Sequence, residues 1–257
     1  MNESSNTTAD GLAGTTAIVT GASRGFGRAI ATALSAAGAR VVGVARTQAL
    51  LDEVRDELGD AFIPVAADAA DPATATRLMA QYRPSTVVLA AGLAPRMVSL
   101  QDQTWETFSE NWNVDVAQAF HWIRQALRSP LAPGSSVIAI SSGAAVKGSP
   151  LSGGYAGAKA TVRFISSYAA AESARAGLGI GFVSVLPQLT PATDLGAKAV
   201  AAYAERQGVD VDTFVQQSYG TVLTAEQVGK SVLEIADGGR RDHDAYLLTV
   251  AGLAPLA

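Results

Sequence analysis

Short, strongly apolar runs rich in β-branched residues alternate along this chain with longer, Ala-rich stretches. The runs at residues 15–20, 40–45, 62–67, 86–90, 135–141, 179–186 and 245–250 predict seven strands. The stretches at 28–37, 49–58, 72–81, 105–128, 155–176 and 225–236 are built from good helix formers and predict helices. Strands that are apolar at almost every position are buried on both faces, and strict alternation with helices requires crossover connections. The pattern therefore predicts an α/β fold: a doubly wound parallel sheet of about seven strands with helices on both faces. Two segments break the rhythm. Residues 1–12 read as a flexible tail ahead of one domain over 13–257, and 187–221, with only weak helical pieces, reads as a substrate lid. In such a sheet ligands bind beyond the carboxyl ends of the strands, so functional residues should follow the strand runs directly.

Composition narrows the chemistry by exclusion. The chain has 257 residues and no cysteine, which removes disulfides, thiolate metal sites and cysteine nucleophiles; His121 and His243 are too few for a histidine metal centre. Net charge is -4 with the basic residues scattered, so no nucleic-acid or anionic-membrane footprint is present. No apolar stretch approaches the roughly 20 residues needed to cross a bilayer. The first ten residues are polar and lack basic residues, unlike a secretory signal or transit peptide, and a cytoplasmic location is expected.

Directly after the first strand run comes Thr20-Gly21-Ala22-Ser23-Arg24-Gly25-Phe26-Gly27, followed by a helix. Glycine removes the Cβ that would block a tight turn and the approach of a pyrophosphate, and the helix N-terminus offers free N–H groups to phosphate. The strand, glycine loop and helix together predict a dinucleotide site at Gly21, Ser23, Arg24, Gly25, Phe26 and Gly27. An acid at the end of the second strand would receive the 2′-hydroxyl of NAD; this strand ends in Arg46 instead. With Arg24 in the loop, two guanidinium groups are placed to hold a 2′-phosphate, so NADP(H) is expected over NAD(H). The alternative for Arg46 is a solvated loop cation.

The fifth strand run leads into Ser141-Ser142-Gly143, and the following helix carries Tyr155 and, one turn on, Lys159. A phenol near its reference pKa of about 10 is a poor base at neutral pH, but a nearby ammonium stabilises the phenolate. Tyr155 would then exchange a proton with a carbonyl or alcohol oxygen, Ser142 would hold that oxygen, and Lys159 would tune Tyr155.

On these residues the chain resembles the short-chain dehydrogenase/reductase family, whose TGxxxGxG loop, Ser and YxxxK motifs are matched at Thr20 to Gly27, Ser142, Tyr155 and Lys159, with the resemblance spanning about residues 12–252. The resemblance implies a Rossmann fold, a small carbonyl or alcohol substrate, and a homo-oligomer, tetramer or dimer. It also implies contacts from Lys159 to the nicotinamide ribose and from Asp68 to adenine. Three departures stand out. The family's NNAG becomes Leu89-Ala90-Ala91-Gly92, where Ala91 and Gly92 are still expected beside the cofactor but side-chain hydrogen bonds to neighbouring strands are lost. Its PG becomes Pro187-Gln188, leaving Pro187 and Thr190 as expected carboxamide-side contacts. Its catalytic Asn aligns with Asp115, expected either to keep a modified proton relay or to be a packing-tolerant replacement. Trp105, Trp112, Phe120, His121 and Trp122 are read as packing or subunit-interface residues. The apolar residues of 187–221 suggest a largely apolar substrate, although amphipathic lid helices would look the same. Rival readings are a non-catalytic nucleotide-binding regulator or scaffold, and a lyase or isomerase using the cofactor transiently.

Overall fold

The computed structural model describes residues 11–240 and 242–256. Seven strands follow the predicted runs: β1 (Thr16–Thr20), β2 (Arg40–Ala45), β3 (Phe62–Ala66), β4 (Thr86–Leu89), β5 (Ser136–Ile140), β6 (Gly181–Pro187) and β7 (Ala245–Thr249). An eighth, β8 (Gly252–Pro255), was not predicted; it returns antiparallel to β7 and closes the sheet edge. All other pairings are parallel, in the order β3-β2-β1-β4-β5-β6-β7-β8. The fold is a Rossmann-type α/β sheet, and strand order reverses between β1 and β4, which opens a crevice beyond their carboxyl ends.

The helices are α1 (Gly25–Ala36), α2 (Gln48–Leu58), α3 (Pro72–Tyr82), α4 (Trp105–Asn111), α5 (Ala117–Arg128), α6 (Ala144–Lys147), α7 (Gly153–Ala176), α8 (Asp194–Gln207), α9 (Val211–Ser218) and α10 (Ala225–Ala236). One sheet face packs under α1, α2 and α10 through Ile30, Leu34, Leu51, Val54 and Val232. The other packs under α3, α5 and α7 through Leu78, Trp122, Ile123 and Val162. Both faces are covered, which is why the strand runs are continuously apolar. Among the described residues, no helix is long and apolar enough to cross a membrane.

Four expectations are corrected. The helix expected over 105–128 is interrupted by a π turn at Trp112–Val116, where the Ala117 N–H reaches back to the Trp112 carbonyl. Residues 187–221 hold two full helices, α8 and α9, each opened by a side-chain cap, Thr193 on Gly196 N–H and Asp210 on Thr213 N–H. The first helix begins at Gly25, inside the glycine loop, rather than at 28. Of the tail expected over 1–12, residues 1–10 lie outside the described residues, but Leu12 is buried in the core and its N–H donates to the Ala37 carbonyl.

Candidate active site

The crevice is a cleft of about 820 Å³ running from the glycine loop across the end of β4 to Tyr155 and the start of the segment after β6. Its floor is set by close approach. Gly21 has φ +69, and a Cβ there would stand 2.8 Å from the Ala91 backbone, so only glycine lets the β1 turn pass the loop after β4. No side chain caps the first turn of α1, which leaves that turn's N–H groups to face an anion. Arg24 and Arg46 are exposed at the same rim, and β2 ends without an acid. These features fit a dinucleotide with its phosphates at α1.

The remaining predicted cofactor residues fall in two groups. Gly21, Ser23, Arg24, Gly25, Phe26, Gly27, Arg46, Asp68, Ala91, Gly92, Pro187 and Thr190 all line the cleft. Some of their side chains are already committed elsewhere. The Thr190 hydroxyl is buried, donating to the Leu223 carbonyl at 2.6 Å and accepting from Ala192 N–H at 3.2 Å, so it secures the segment that follows β6 rather than projecting freely toward a ligand. Phe26 packs its ring on the core, leaving its backbone to the loop. The Asp68 carboxylate accepts from Ala70 N–H at 2.9 Å and is otherwise exposed.

The loop that replaces NNAG is held after all, by groups the sequence reading missed. The Thr20 hydroxyl accepts from Ala90 N–H at 3.0 Å and Ala91 N–H at 3.2 Å, and donates to Gln118 Oε1 at 2.6 Å. Gln118 Nε2 in turn donates to the Ala91 carbonyl at 2.9 Å. A buried residue of α5 thus supplies the hydrogen bonds that the absent Asn side chains do not.

Tyr155 stands in the first turn of α7 and Lys159 in the next, with Lys159 Nζ 5.6 Å from the Tyr155 ring centre. The Ser141 hydroxyl donates to the Lys159 carbonyl at 2.7 Å and ties α7 to the end of β5, where Ser142 shares the cleft wall. Lys159 Nζ donates to the Ile140 carbonyl at 3.0 Å and lies 2.8 Å from Asp115 Oδ1, an ion pair whose carboxylate side chain is 0% exposed. The approach of α4 to α7 depends on Gly154: a Cβ there would fall 1.9 Å from the Phe108 carbonyl oxygen. The Gly-Gly pair just before Tyr155 was the signal available for this contact.

The electrostatics of the cluster are opposed. Loss of water around the phenol pushes the Tyr155 pKa up, Lys159 pulls it down, Asp115 pushes it up again, and the Ser142 hydroxyl lowers it; the net direction is upward. For Lys159, burial works against the charge, but Asp115 and Tyr155 outweigh it and the ammonium is held above its usual value. Asp115 thus lies beside the Lys159 ammonium as its buried counter-ion.

A family model described as short chain dehydrogenase matches residues 15–204. The chain belongs to the short-chain dehydrogenase family. Within this family it is similar to a versicolorin reductase of Emericella nidulans, 33% identical over 159 residues, which are 59% of this chain and 60% of that protein. It is also similar to the L-xylulose reductase of Mesocricetus auratus, 34% identical over 49% of this chain and 53% of the relative. The 3-oxoacyl-(acyl-carrier-protein) reductase of Escherichia coli is 28% identical over 66% of this chain and 72% of the relative. The match thus spans about three fifths of the length of the versicolorin reductases. Among solved structures, a 3-ketoacyl-(acyl-carrier-protein) reductase from Brucella melitensis complexed with NADH superposes with a TM-score of 0.75 at 22% identity, covering 93% of this chain and 97% of that one. That likeness concerns the short-chain dehydrogenase fold.

Proposed function

We propose that this protein is an NADP(H)-dependent reductase of a small carbonyl compound, or the corresponding alcohol dehydrogenase, with Tyr155 as general acid/base. The observation that carries the reading is the convergence of Ser142, Tyr155 and Lys159 on the cleft that also holds the glycine loop. A reduced nicotinamide bound there supplies the hydride. Tyr155 passes its proton to the substrate oxygen, the Ser142 hydroxyl donates a hydrogen bond to that oxygen, and Lys159 holds a cation beside the phenol. Gly21 to Gly27 and Ala91-Gly92 cradle the dinucleotide, and Asp68 stands where adenine would lie. The preference for NADP(H) rests on Arg24 and Arg46, which share the rim and have no counter-ion among the described residues.

The case for an apolar substrate narrows to the cleft itself. Val200 and Phe214 are buried, with Tyr203 and Tyr219, in a small core of the lid's own. Beyond the residues assigned to the cofactor, the cleft is lined by the apolar Ala94, Leu189 and Leu195 and by the polar or charged Gln188, Thr193, Asp194 and Lys198. The apolar side chains are read as the face that takes a compact, largely apolar ketone, with the polar ones at its edge. We also infer a homo-oligomer, because α5 and α7 pack side by side and leave Phe120, Phe164 and Tyr168 exposed on adjoining helices. The deciding experiment follows NADPH absorbance with a panel of ketones: turnover by the wild type and none by Tyr155→Phe is expected, and no turnover with any carbonyl class would overturn the reading.

A further inference from the structure

The buried carboxylate of Asp115 is surrounded only by donors. Its Oδ2 accepts from Leu93 N–H at 3.1 Å and from Asn111 Nδ2 at 3.2 Å, and its Oδ1 faces Lys159 Nζ at 2.8 Å. Asn111 is itself fixed by donating to the Leu93 carbonyl at 2.7 Å. An amide at position 115 has one acceptor oxygen and a donor –NH2, so it would set a donor against a donor on one side. The pocket is built for a carboxylate, although the resemblance placed an Asn there.

The charges around this group are few. From α7 it meets Tyr155 and Lys159. Other ionisable groups on the packed elements face away: Glu110 pairs with Arg96 at the surface, His121 lies against the Phe120 ring, Arg124 is exposed, and Arg163 lies over the Phe164 ring. The set is therefore one buried carboxylate, one buried ammonium and one half-buried phenol at the cleft wall, with net charge zero while the phenol holds its proton. Losing a proton from either Lys159 or Tyr155 leaves a net negative charge on a group of side chains largely withdrawn from water, which is costly. With a neutral residue at 115 the set begins at plus one, and losing a proton brings it to zero.

We propose that Asp115 is a positioning residue that holds Tyr155 protonated, so that the site serves as a proton donor to a carbonyl oxygen rather than as a proton acceptor from an alcohol. This rests on the reductase reading above and specifies its direction. The step balances: the carbonyl carbon gains a hydride from a reduced nicotinamide, its oxygen gains the Tyr155 proton, the C=O π bond is broken, and the nicotinamide is oxidised. The phenolate left beside the Lys159–Asp115 pair regains a proton from water. The opposed effects on Tyr155, with Asp115 raising what Lys159 lowers, agree with this arrangement.

Two readouts test it, and the first needs no substrate. Phenolate absorbance is titrated in the wild type, in Asp115→Asn and in Tyr155→Phe, and the component absent from Tyr155→Phe is assigned to Tyr155. The expected result is a midpoint lower by about one pH unit or more in Asp115→Asn. The second readout is the pH profile of kcat/KM for alcohol oxidation, whose rising limb should move to lower pH in the variant while reduction at neutral pH slows. An unchanged or raised midpoint overturns the proposal. A lowered midpoint with no turnover in any protein keeps Asp115's hold on the Tyr155 proton but sinks the reductase reading and, with it, the direction assigned to the step. Asp115→Ser removes the charge without presenting an amide to Lys159, carries the same expectation, and serves where the Asn variant does not fold.

Discussion

Gln118 holds the Ala91 carbonyl at 2.9 Å while accepting the Thr20 hydroxyl at 2.6 Å, so one buried amide joins α5, the β1 end and the loop beside the cofactor cleft. Gln118→Leu preserves bulk but leaves the Ala91 carbonyl without this donor and the Thr20 hydroxyl with only the longer contact to the Val88 carbonyl at 3.3 Å. A loss of about 1–3 kcal/mol in unfolding free energy is expected. Because the loop faces the nucleotide, KM for the cofactor should rise more than kcat falls; unchanged cofactor affinity would remove Gln118 from this role.

Arg46→Asp replaces a rim cation by the acid that suits a 2′-hydroxyl. Loss of a charge-assisted contact of about 1.5–3 kcal/mol predicts NADPH binding weakened by about tenfold or more, with NADH binding unchanged or improved. Fluorescence titration of both nucleotides measures this, and equal weakening of the two would show that Arg46 does not read the phosphate. Arg24→Ala should act in the same direction.

Tyr155→Phe is expected to abolish turnover with the nucleotide still bound, since the ring remains and the proton donor is gone. Ser142→Ala should lower kcat by about 10²-fold or more, as loss of one donor to the reacting oxygen does elsewhere. Single-turnover kinetics with saturating cofactor distinguishes these effects from weaker substrate binding.

Lys159→Met would leave the Asp115 carboxylate buried without its cation, and a loss of about 3–5 kcal/mol by urea denaturation at neutral pH is expected. The sign of the pH effect follows from the same pair. The Lys159 pKa is raised in the folded state, so its contribution is complete at and below the ordinary lysine value and is lost only as pH climbs through the raised one. Wild-type stability should therefore show no loss from this group between neutral pH and about pH 10.

Phe164→Arg places a charge on the exposed aromatic face that α7 shares with α5. A shift toward the monomer in sedimentation velocity is expected, with the unfolding midpoint of the isolated chain little changed. A monomeric wild type would show instead that this face has no partner of its own kind.

The sheet was legible because most of its strands are buried on both sides, which writes continuous apolar runs into the sequence. β8 was not, since Gly252 and Pro255 bracket only two residues, Leu253 and Ala254, too few to show a period. Helices α8 and α9 carried their signal in the caps Thr193 and Asp210 rather than in an apolar stripe, because Val200 and Phe214 form a small cluster apart from the two that pack on the sheet. Within the site, Tyr155 and Lys159 lie one turn apart and could be paired from spacing. The approach of Asp115 to Lys159, and the service of Gln118 to the loop after β4, join residues far apart in the chain and depend on how tightly α4 and α5 seat on α7. No local pattern records that distance.

The wide turn at Trp112–Val116 inserts one residue into an otherwise regular rod, and no Gly or Pro marks it. Each residue of an α-helix advances about 100° around the axis, so the rod below the bulge is rotated by that amount relative to an unbroken continuation of the rod above it. Excising Asn113 would rewind the segment and swing either Asp115 or the Gln118–Trp122 side of the rod away from its partners. The bulge works as a phase shifter, allowing a single rod to aim one carboxylate into the crevice and one indole under the sheet.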